Sequence, residues 1–508
     1  MSTWSPPAVV SWLVFIALAG CSNKLGAADT DGSGDPDTDV VDTDTGPIED
    51  DADLDSFTES QGDCDDNDPT VYPGAPEECN GKDDDCDGKT DDDFDEDHDG
   101  VADCEDTCPI YVDVHATAGL QNGTITDPFL AIQDGIDAAA ALNCSIIYVK
   151  AGDYEESVDF LGQDLLVQSV DGPVKTQIIG DGARSVVTFA NAESIDAVLR
   201  GFRITEGGGA HGAGIYVNGA DPLIEGNDFI DNRANSGDQQ GGGVFLFDSD
   251  AVVRGNTFSF NDAGYGGLET GNDGGGMFVR GGAPQIDGNT FIGNTAGDGG
   301  AMWFARSDAL VVSNLIVENE AYDQDPVKGG QGGGVDVQIG TSEFYFAGNL
   351  VLSNIASTHG GGVAVYEYAD TEGDPWIVNN TFAWNVVTDT DYGSAFVGWS
   401  TTHSHVVNNI FYDNSGVAVW LNSTTFFAYN DLYANTTNLG GDQPGALSLN
   451  GNIATDPRFT NVTDDSDEHN DDWTLRSNSA CRNAGDPTIF DLDGSRSDVG
   501  ASGGAYAW

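Results

Sequence analysis

Residues 95–109, DEDHDGVADCEDTCP, set Asp95, Asp97, Asp99, Asp103 and Asp106 around Gly100. Carboxylates two residues apart beside a glycine-permitted turn converge on one point, and a hard cation that takes roughly six to eight oxygens suits such a point. Upstream, Asp83, Asp85, Asp87 and Asp91 repeat the spacing. Asp63, Asp65 and Asn67 begin a similar series, but no glycine follows at the expected place. Calcium is the expected ion. A different chemistry is offered farther along by Asp336 with Gln338, near Arg280 and Arg306, an acid/base group beside two cations. Tyr216, Phe245, Phe278 and Trp303 recur at one position of a repeated segment and could form an apolar stripe on which sugars stack.

The acidic stretches have relatives. Residues 95–109, with their terminal Cys-Pro, resemble a thrombospondin type 3 repeat. Residues 62–93, GDCDDNDPTVYPGAPEECNGKDDDCDGKTDDD, resemble the acidic three-cysteine metal-binding repeat of myxobacterial surface proteins. Cysteines at 64, 79, 86, 104 and 108 argue against a merely solvated linker, which has no need of crosslinks.

The elements that must hold the other candidates come from a hexapeptide. NDFIDN (227–232) returns as NTFSFN (256–261), NTFIGN (289–294), NLIVEN (314–319), NLVLSN (349–354), NTFAWN (380–385), NIFYDN (409–414) and NDLYAN (430–435). Ile224, Val253, Ile286, Val311, Phe346, Ile377, Val406 and Phe427 stand three residues before the first asparagine. Phe229, Phe258, Phe291, Ile316, Val351, Phe382, Phe411 and Leu432 stand two after it. Two apolar columns at fixed places imply short strands facing a core. Asparagine tolerates a left-handed corner, and stacked copies can hydrogen-bond up and down the stack. A third strand follows each glycine run: GAGIYVN (212–218), GGGVFLF (241–247), GGGMFVR (274–280), GGAMWFA (299–305), GGGVDVQ (332–338) and GGGVAVY (360–366). Strand, corner, strand, loop, glycine turn and strand make one coil of a solenoid. The chain resembles the right-handed, pectate-lyase-like parallel β-helix family over residues 110–460. DPFLAIQDGIDAAAALN (127–143) is an amphipathic helix placed to cap the first coil.

In that frame Tyr216, Phe245, Phe278 and Trp303, then Asp336, face outward on successive coils. Asp336 lacks a second carboxylate in its own column, whereas glycosidic hydrolysis uses two at defined separation. His211 and His359 both precede glycine turns but lie about five coils apart, roughly 24 Å at ~4.8 Å per coil. Glu225, Arg254 and Asp287 form an outward column of alternating charge, the pattern of a salt-bridged solvent face.

The N-terminus reads as an export signal. An apolar run from Ala8 to Gly20 ends at Leu18-Ala19-Gly20-Cys21, which resembles the lipobox of bacterial lipoproteins. That resemblance implies cleavage before Cys21 and lipid on its sulfur, with Ser22 in place of an aspartate similar to outer-membrane sorting; no Lys or Arg precedes the run. With Cys21 set aside, seven cysteines remain, so at least one is unpaired.

The net charge of −69 argues against nucleic acid as a partner, since its phosphates would be repelled. Residues 29–106 hold 33 of the 86 acidic residues against Lys82 and Lys89, too polar to bury a core unaided. The expected order is therefore a signal peptide (1–20), an acidic disordered tether (21–60), a Cys/Asp-rich calcium module (61–109), an all-β parallel β-helix (110–460) and a closing segment (461–508). The expected function is a lipid-anchored protein of the outer membrane or cell surface whose β-helix binds polysaccharide or a neighbouring surface. A polysaccharide lyase or hydrolase on the same scaffold, and a purely structural envelope protein, are the alternatives. Partners are then divalent cations and polysaccharide, with the membrane reached through the lipid alone.

Overall fold

Each hexapeptide holds one short strand with a corner at either end, and stacking those corners generates the architecture. A computed structural model describes residues 53, 55, 57–76, 82–88, 108–117, 119–264, 271–322, 330–339, 343–367, 373–388, 392–399, 403–463 and 470–507. Cys21, Asp91, Asp95, Asp97, Asp99, Asp103 and Asp106 lie outside these residues, as do Cys79 and Cys104. The chain divides into two units, Met1–Asp91 and Asp92–Trp508.

The second unit is an all-β parallel β-helix. Three long sheets of 12, 11 and 11 strands run along it, joined by a fourth of 5 short strands. The strand ahead of each first asparagine, such as Leu223–Glu225, belongs to the 12-stranded sheet. The strand between the asparagines, such as Asp228–Ile230, builds one 11-stranded sheet, and the strand after the glycines, such as Ile215–Asn218, builds the other. Both apolar columns point inward and are buried throughout. Their rings stack coil on coil, Phe229 on Phe258 at 4.6 Å and Phe258 on Phe291 at 4.5 Å.

The asparagines form two continuous ladders. Asn256 is typical: its backbone N–H and its Nδ2 both donate to Oδ1 of Asn289 in the next coil, at 2.9 and 3.1 Å. The same Nδ2 donates to the Ile224 carbonyl of the preceding coil at 2.8 Å. The side chain thus satisfies backbone groups that the corner removes from the sheets. The left-handed conformation expected of these asparagines falls one residue earlier. Gly226, Gly255, Gly288 and Ser313 precede the first asparagine of their coils with φ of 61–63° and, for Ser313, 54°. Asp231, Phe260, Gly293 and Glu318 do the same before the second. The residue before the amide absorbs the turn, leaving asparagine in an ordinary conformation that aims its side chain along the stack.

The capping helix α1 spans Ile132–Leu142, shorter than the 127–143 segment marked by composition. Phe129 is instead held extended, its N–H donating to the Tyr111 carbonyl at 3.0 Å. Ile132, Ile136 and Ala139 close the apolar end of the stack. Glu156 caps the helix from outside, accepting from the N–H groups of Ile132 (2.8 Å) and Gln133 (2.9 Å). A disulfide joins Cys108 to Cys144 beside the helix C-terminus, so Cys108 crosslinks the cap. Cys481 is a free buried thiol donating to Asp431 Oδ2 at 3.1 Å.

Beyond the last coil, Phe459–Asn461 and Asp472–Leu475 form an antiparallel pair. The chain then returns along the first corner: Asp486 N–H donates to Asn408 Oδ1, Asn379 Nδ2 donates to the Asp498 carbonyl, and Ser313 Oγ donates to the Tyr506 carbonyl. Asp491 spends its carboxylate on the N–H groups of Asp498 and Gly504 within this strap.

Candidate functional site

The strands after the glycine turns carry the candidate residues on their outer face. Register pairs Tyr216 with Phe245, Phe245 with Phe278, Phe278 with Trp303, and Trp303 with Asp336. The rings stack at 5.5, 5.0 and 4.6 Å. They use their faces on one another, and Phe245, Phe278 and Trp303 are only 5, 1 and 7% exposed, with Tyr216 half-buried. A satellite core therefore stands where the residue pattern suggested an open stripe.

One column over, Phe247, Arg280, Ala305 and Gln338 are in register. Ala305 is the small member between long neighbours, and the space it leaves is a dent of about 200 Å³ lined by Arg280, Trp303, Ala305, Arg306 and Gln338. The sequence candidates Arg280, Arg306, Gln338 and Trp303 thus converge. Arg280 is exposed, with its guanidinium 5.9 Å from the Phe247 ring centre, and Arg306 is exposed on a left-handed turn at φ 52°.

Asp336 is 1% exposed. Neither of its carboxylate oxygens makes a hydrogen bond of normal geometry, and neither does the indole Nε1 of its neighbour Trp303; the Val337 N–H and that indole only approach the carboxylate. Burial pushes its pKa well above the ordinary carboxylate range; Asp298 and Asp273 push it further, and the Val337 N–H and Trp303 oppose this only in part.

Those two carboxylates were missing from the residue-level reading. They belong to the column immediately before the glycine turns, where His211, Gln240, Asp273 and Asp298 bridge in sequence and Gln331 bridges to His359. The His211 ring lies on Phe245, the outward residue of the next coil, at 4.9 Å. Asp298 bears the same relation to Asp336, and its Oδ1 accepts from the Gln331 N–H at 3.0 Å. Asp273 is likewise raised, by burial first and then by Asp298 and Asp238. The Tyr366 hydroxyl, without a partner, is pushed up by burial and by Asp336 and Asp298. His211 and His359, the ends of this column, were visible in the sequence; the signal for the rest was the residue before each glycine.

The first unit holds the other site. Cys64 and Cys86 are disulfide-bonded, with Cα atoms 5.7 Å apart. Asp83, Asp85 and Asp87 each offer an oxygen within 4.8 Å of the others. Asp83 also orders the loop, accepting from the N–H groups of Asp87 (3.1 Å) and Gly88 (2.9 Å). These donors are all hard oxygens, and both described cysteines are oxidised, so the set suits a hard cation over a soft one.

Residues 186–382 match the family described as "Right handed beta helix region". This stretch is a right-handed β-helix region. Residues 63–93 match the family described as "Putative metal-binding motif", whose name specifies copper. No curated protein matches the chain. Among solved structures it is similar to a pectin methylesterase in complex with a hexasaccharide, at 12% identity over 68% of this chain and 93% of that one, TM-score 0.29. A tailspike protein mutant of E. coli bacteriophage HK620 in complex with a pentasaccharide is 14% identical over 61% and 59%, TM-score 0.29. Pectin methylesterase PemA from Erwinia chrysanthemi is 10% identical over 68% and 92%, TM-score 0.25.

Proposed function

We propose that this is a lipid-anchored surface protein whose right-handed β-helix binds an acidic glycan at the dent of Arg280, Trp303, Arg306 and Gln338. The observation that carries the reading is the meeting of two arginines at one concavity in a chain with 17 basic and 86 acidic residues. Guanidinium groups pair with carboxylates through parallel hydrogen bonds. Gln338 supplies neutral donors and acceptors for hydroxyls, and the edge of Trp303 an apolar wall. At about 200 Å³ the dent is small beside ordinary ligand clefts of roughly 300–1,000 Å³. It therefore suits one unit of a longer chain lying along the coils.

Lipidation at Cys21 places the protein on the outer membrane or cell surface in this reading, and calcium held by Asp83, Asp85 and Asp87 stabilises the acidic unit that precedes the β-helix. The approach of half-buried Asp298 to buried Asp336 favours a second reading, glycoside hydrolysis or elimination at the same dent. Binding is preferred because a general acid must come within hydrogen-bond reach of its substrate, and Asp336 is enclosed.

A panel of acidic and neutral polysaccharides, offered to the full chain with binding and product release both read, tests these together. Retention of acidic polymers without products, lost in Arg280→Gln/Arg306→Gln, is the expected result. Product release blocked by Asp336→Asn supports the second reading. No retention of any polymer overturns both and leaves a structural envelope protein.

A further inference from the structure

The first unit contains a second group of carboxylates, distinct from Asp83, Asp85 and Asp87. Asp53, Asp63 and Asp66 each present an oxygen within 4.8 Å of the other two. This is not the Asp63, Asp65, Asn67 series that the residue spacing suggested. Asp65 opens a tight turn in which its carbonyl accepts from the N–H groups of Asn67 (2.6 Å) and Asp68 (2.8 Å). The turn leaves Asp65 exposed and Asp66 half-buried.

Asp63 is the member that demands a ligand. It is 5% exposed, the most enclosed of the three. Its Oδ1 accepts from the Asp65 N–H at 2.9 Å, while its Oδ2 is buried with no donor. An enclosed carboxylate oxygen without donor or counter-charge is costly. The described basic side chain of the unit, Lys82, is engaged by Asp68. Cys64, next in sequence to Asp63, is held in its disulfide and offers no thiolate. What remains is a cage of oxygens. Its 4.8 Å limit is about twice a calcium–oxygen distance of roughly 2.4 Å, so three of these oxygens can touch one ion.

We propose that Asp53, Asp63 and Asp66 hold a second hard divalent cation, which ties the segment at Asp53, outside the matched 63–93 motif, to the disulfide-bonded loop. The inference is independent of the glycan reading and rests on the calcium reading of this unit only in the class of ion.

The full chain is stripped with a chelator, dialysed against buffered Ca²⁺, and its bound ions are counted by elemental analysis. Asp53→Asn is expected to lower the count by one, Asp85→Asn by one, and the two together by two; Asp65→Asn leaves it unchanged. Asp63→Asn removes a buried group and endangers the fold, so the half-buried Asp53 carries the test. Peptide mapping without reduction checks that Cys64–Cys86 is intact in every variant. An unchanged count in Asp53→Asn overturns the proposal while a loss in Asp85→Asn keeps the calcium reading. A loss in Asp65→Asn in place of Asp53→Asn overturns it in favour of the linear spacing. A wild-type chain that binds no Ca²⁺ removes both.

Discussion

The acidic unit and the β-helix both contain aspartates that crowd together, and they handle the crowding in opposite ways. In the unit of residues 53–88, Val71 and Ala75 are the buried apolar side chains among the described residues, beside one disulfide and the Phe57–Tyr72 stack. So small a core cannot offset ordering entropy. Its carboxylates sit at cation-binding distances, and a metal can supply what packing does not. In the β-helix, ring stacks and amide ladders supply the stability, and Asp273 and Asp336 ride on that surplus with raised pKa values. On the proposed cation reading one region uses acid to fold; the other folds in spite of it. A buried, unpartnered carboxylate persists where surrounding structure over-determines its place, and such groups concentrate at functional sites.

The largest expected effect separates the two regions directly. EDTA should open the acidic unit to protease and leave the circular dichroism and melting of the β-helix unchanged. Calcium-independent proteolysis would remove the metal from the first half of the comparison.

Within the β-helix, neutral hydrogen bonds should matter more than any charge. Asn289 is 1% exposed, accepts two hydrogen bonds from Asn256, and donates from Nδ2 to the Val253 carbonyl and to Asn314 Oδ1. Asn289→Leu strands the Asn256 N–H and takes one hydrogen bond from the Val253 carbonyl. At about 1–3 kcal/mol for the stranded donor and about 1 kcal/mol for the lost bond, the loss should be about 2–4 kcal/mol. A denaturant melt that moves by less than a kcal/mol or so would show that the ladder is ornamental. Trp303→Ala should fall in the same range, because the ring is 7% exposed and its truncation leaves a cavity.

Asp336→Asn sharpens the claim that acid is a burden here. In strong acid the carboxyl is protonated in folded and unfolded chains alike, so variant and wild type should melt together. Above the ordinary carboxylate range the unfolded chain releases a proton that the folded one keeps, and the wild type loses stability that the variant retains. The melting difference should therefore open in favour of Asp336→Asn as pH rises from about 4 toward neutrality. A difference that ignores pH would mean the carboxylate has a counter-charge. The smallest effect should come from Arg280→Gln: the side chain is exposed, so stability should change by no more than about 0.5 kcal/mol while acidic-glycan retention falls.

The coil plan was legible because it repeats. Eight hexapeptides, two apolar columns and six glycine runs each encode a local event, and repetition separates signal from accident. The nearness of Arg280, Arg306 and Gln338 was legible too, since parallel in-register stacking turns equal positions in the repeat into neighbours; that Trp303, assigned to the aromatic stripe, joins them was not. What the pattern misplaced were matters of degree: the left-handed corner lies one residue before each asparagine, and α1 begins at Ile132 because Phe129 pairs with Tyr111.

The amino-acid order determined, by itself, that the chain stacks coils, which side chains face in, and that its N-terminal region concentrates acid. Only the tertiary structure decided which faces stay open. Tyr216 to Trp303 bury their faces on one another, and Ala305 opens a dent because its neighbours in the column are long. Asp298 meets Asp336, 38 positions away in sequence, and Asp53 meets Asp63 and Asp66 across a turn that sends Asp65 outward. Alternation along a strand is a property of one chain segment, whereas accessibility and charge coupling depend on distances between segments. No local spacing encodes those distances.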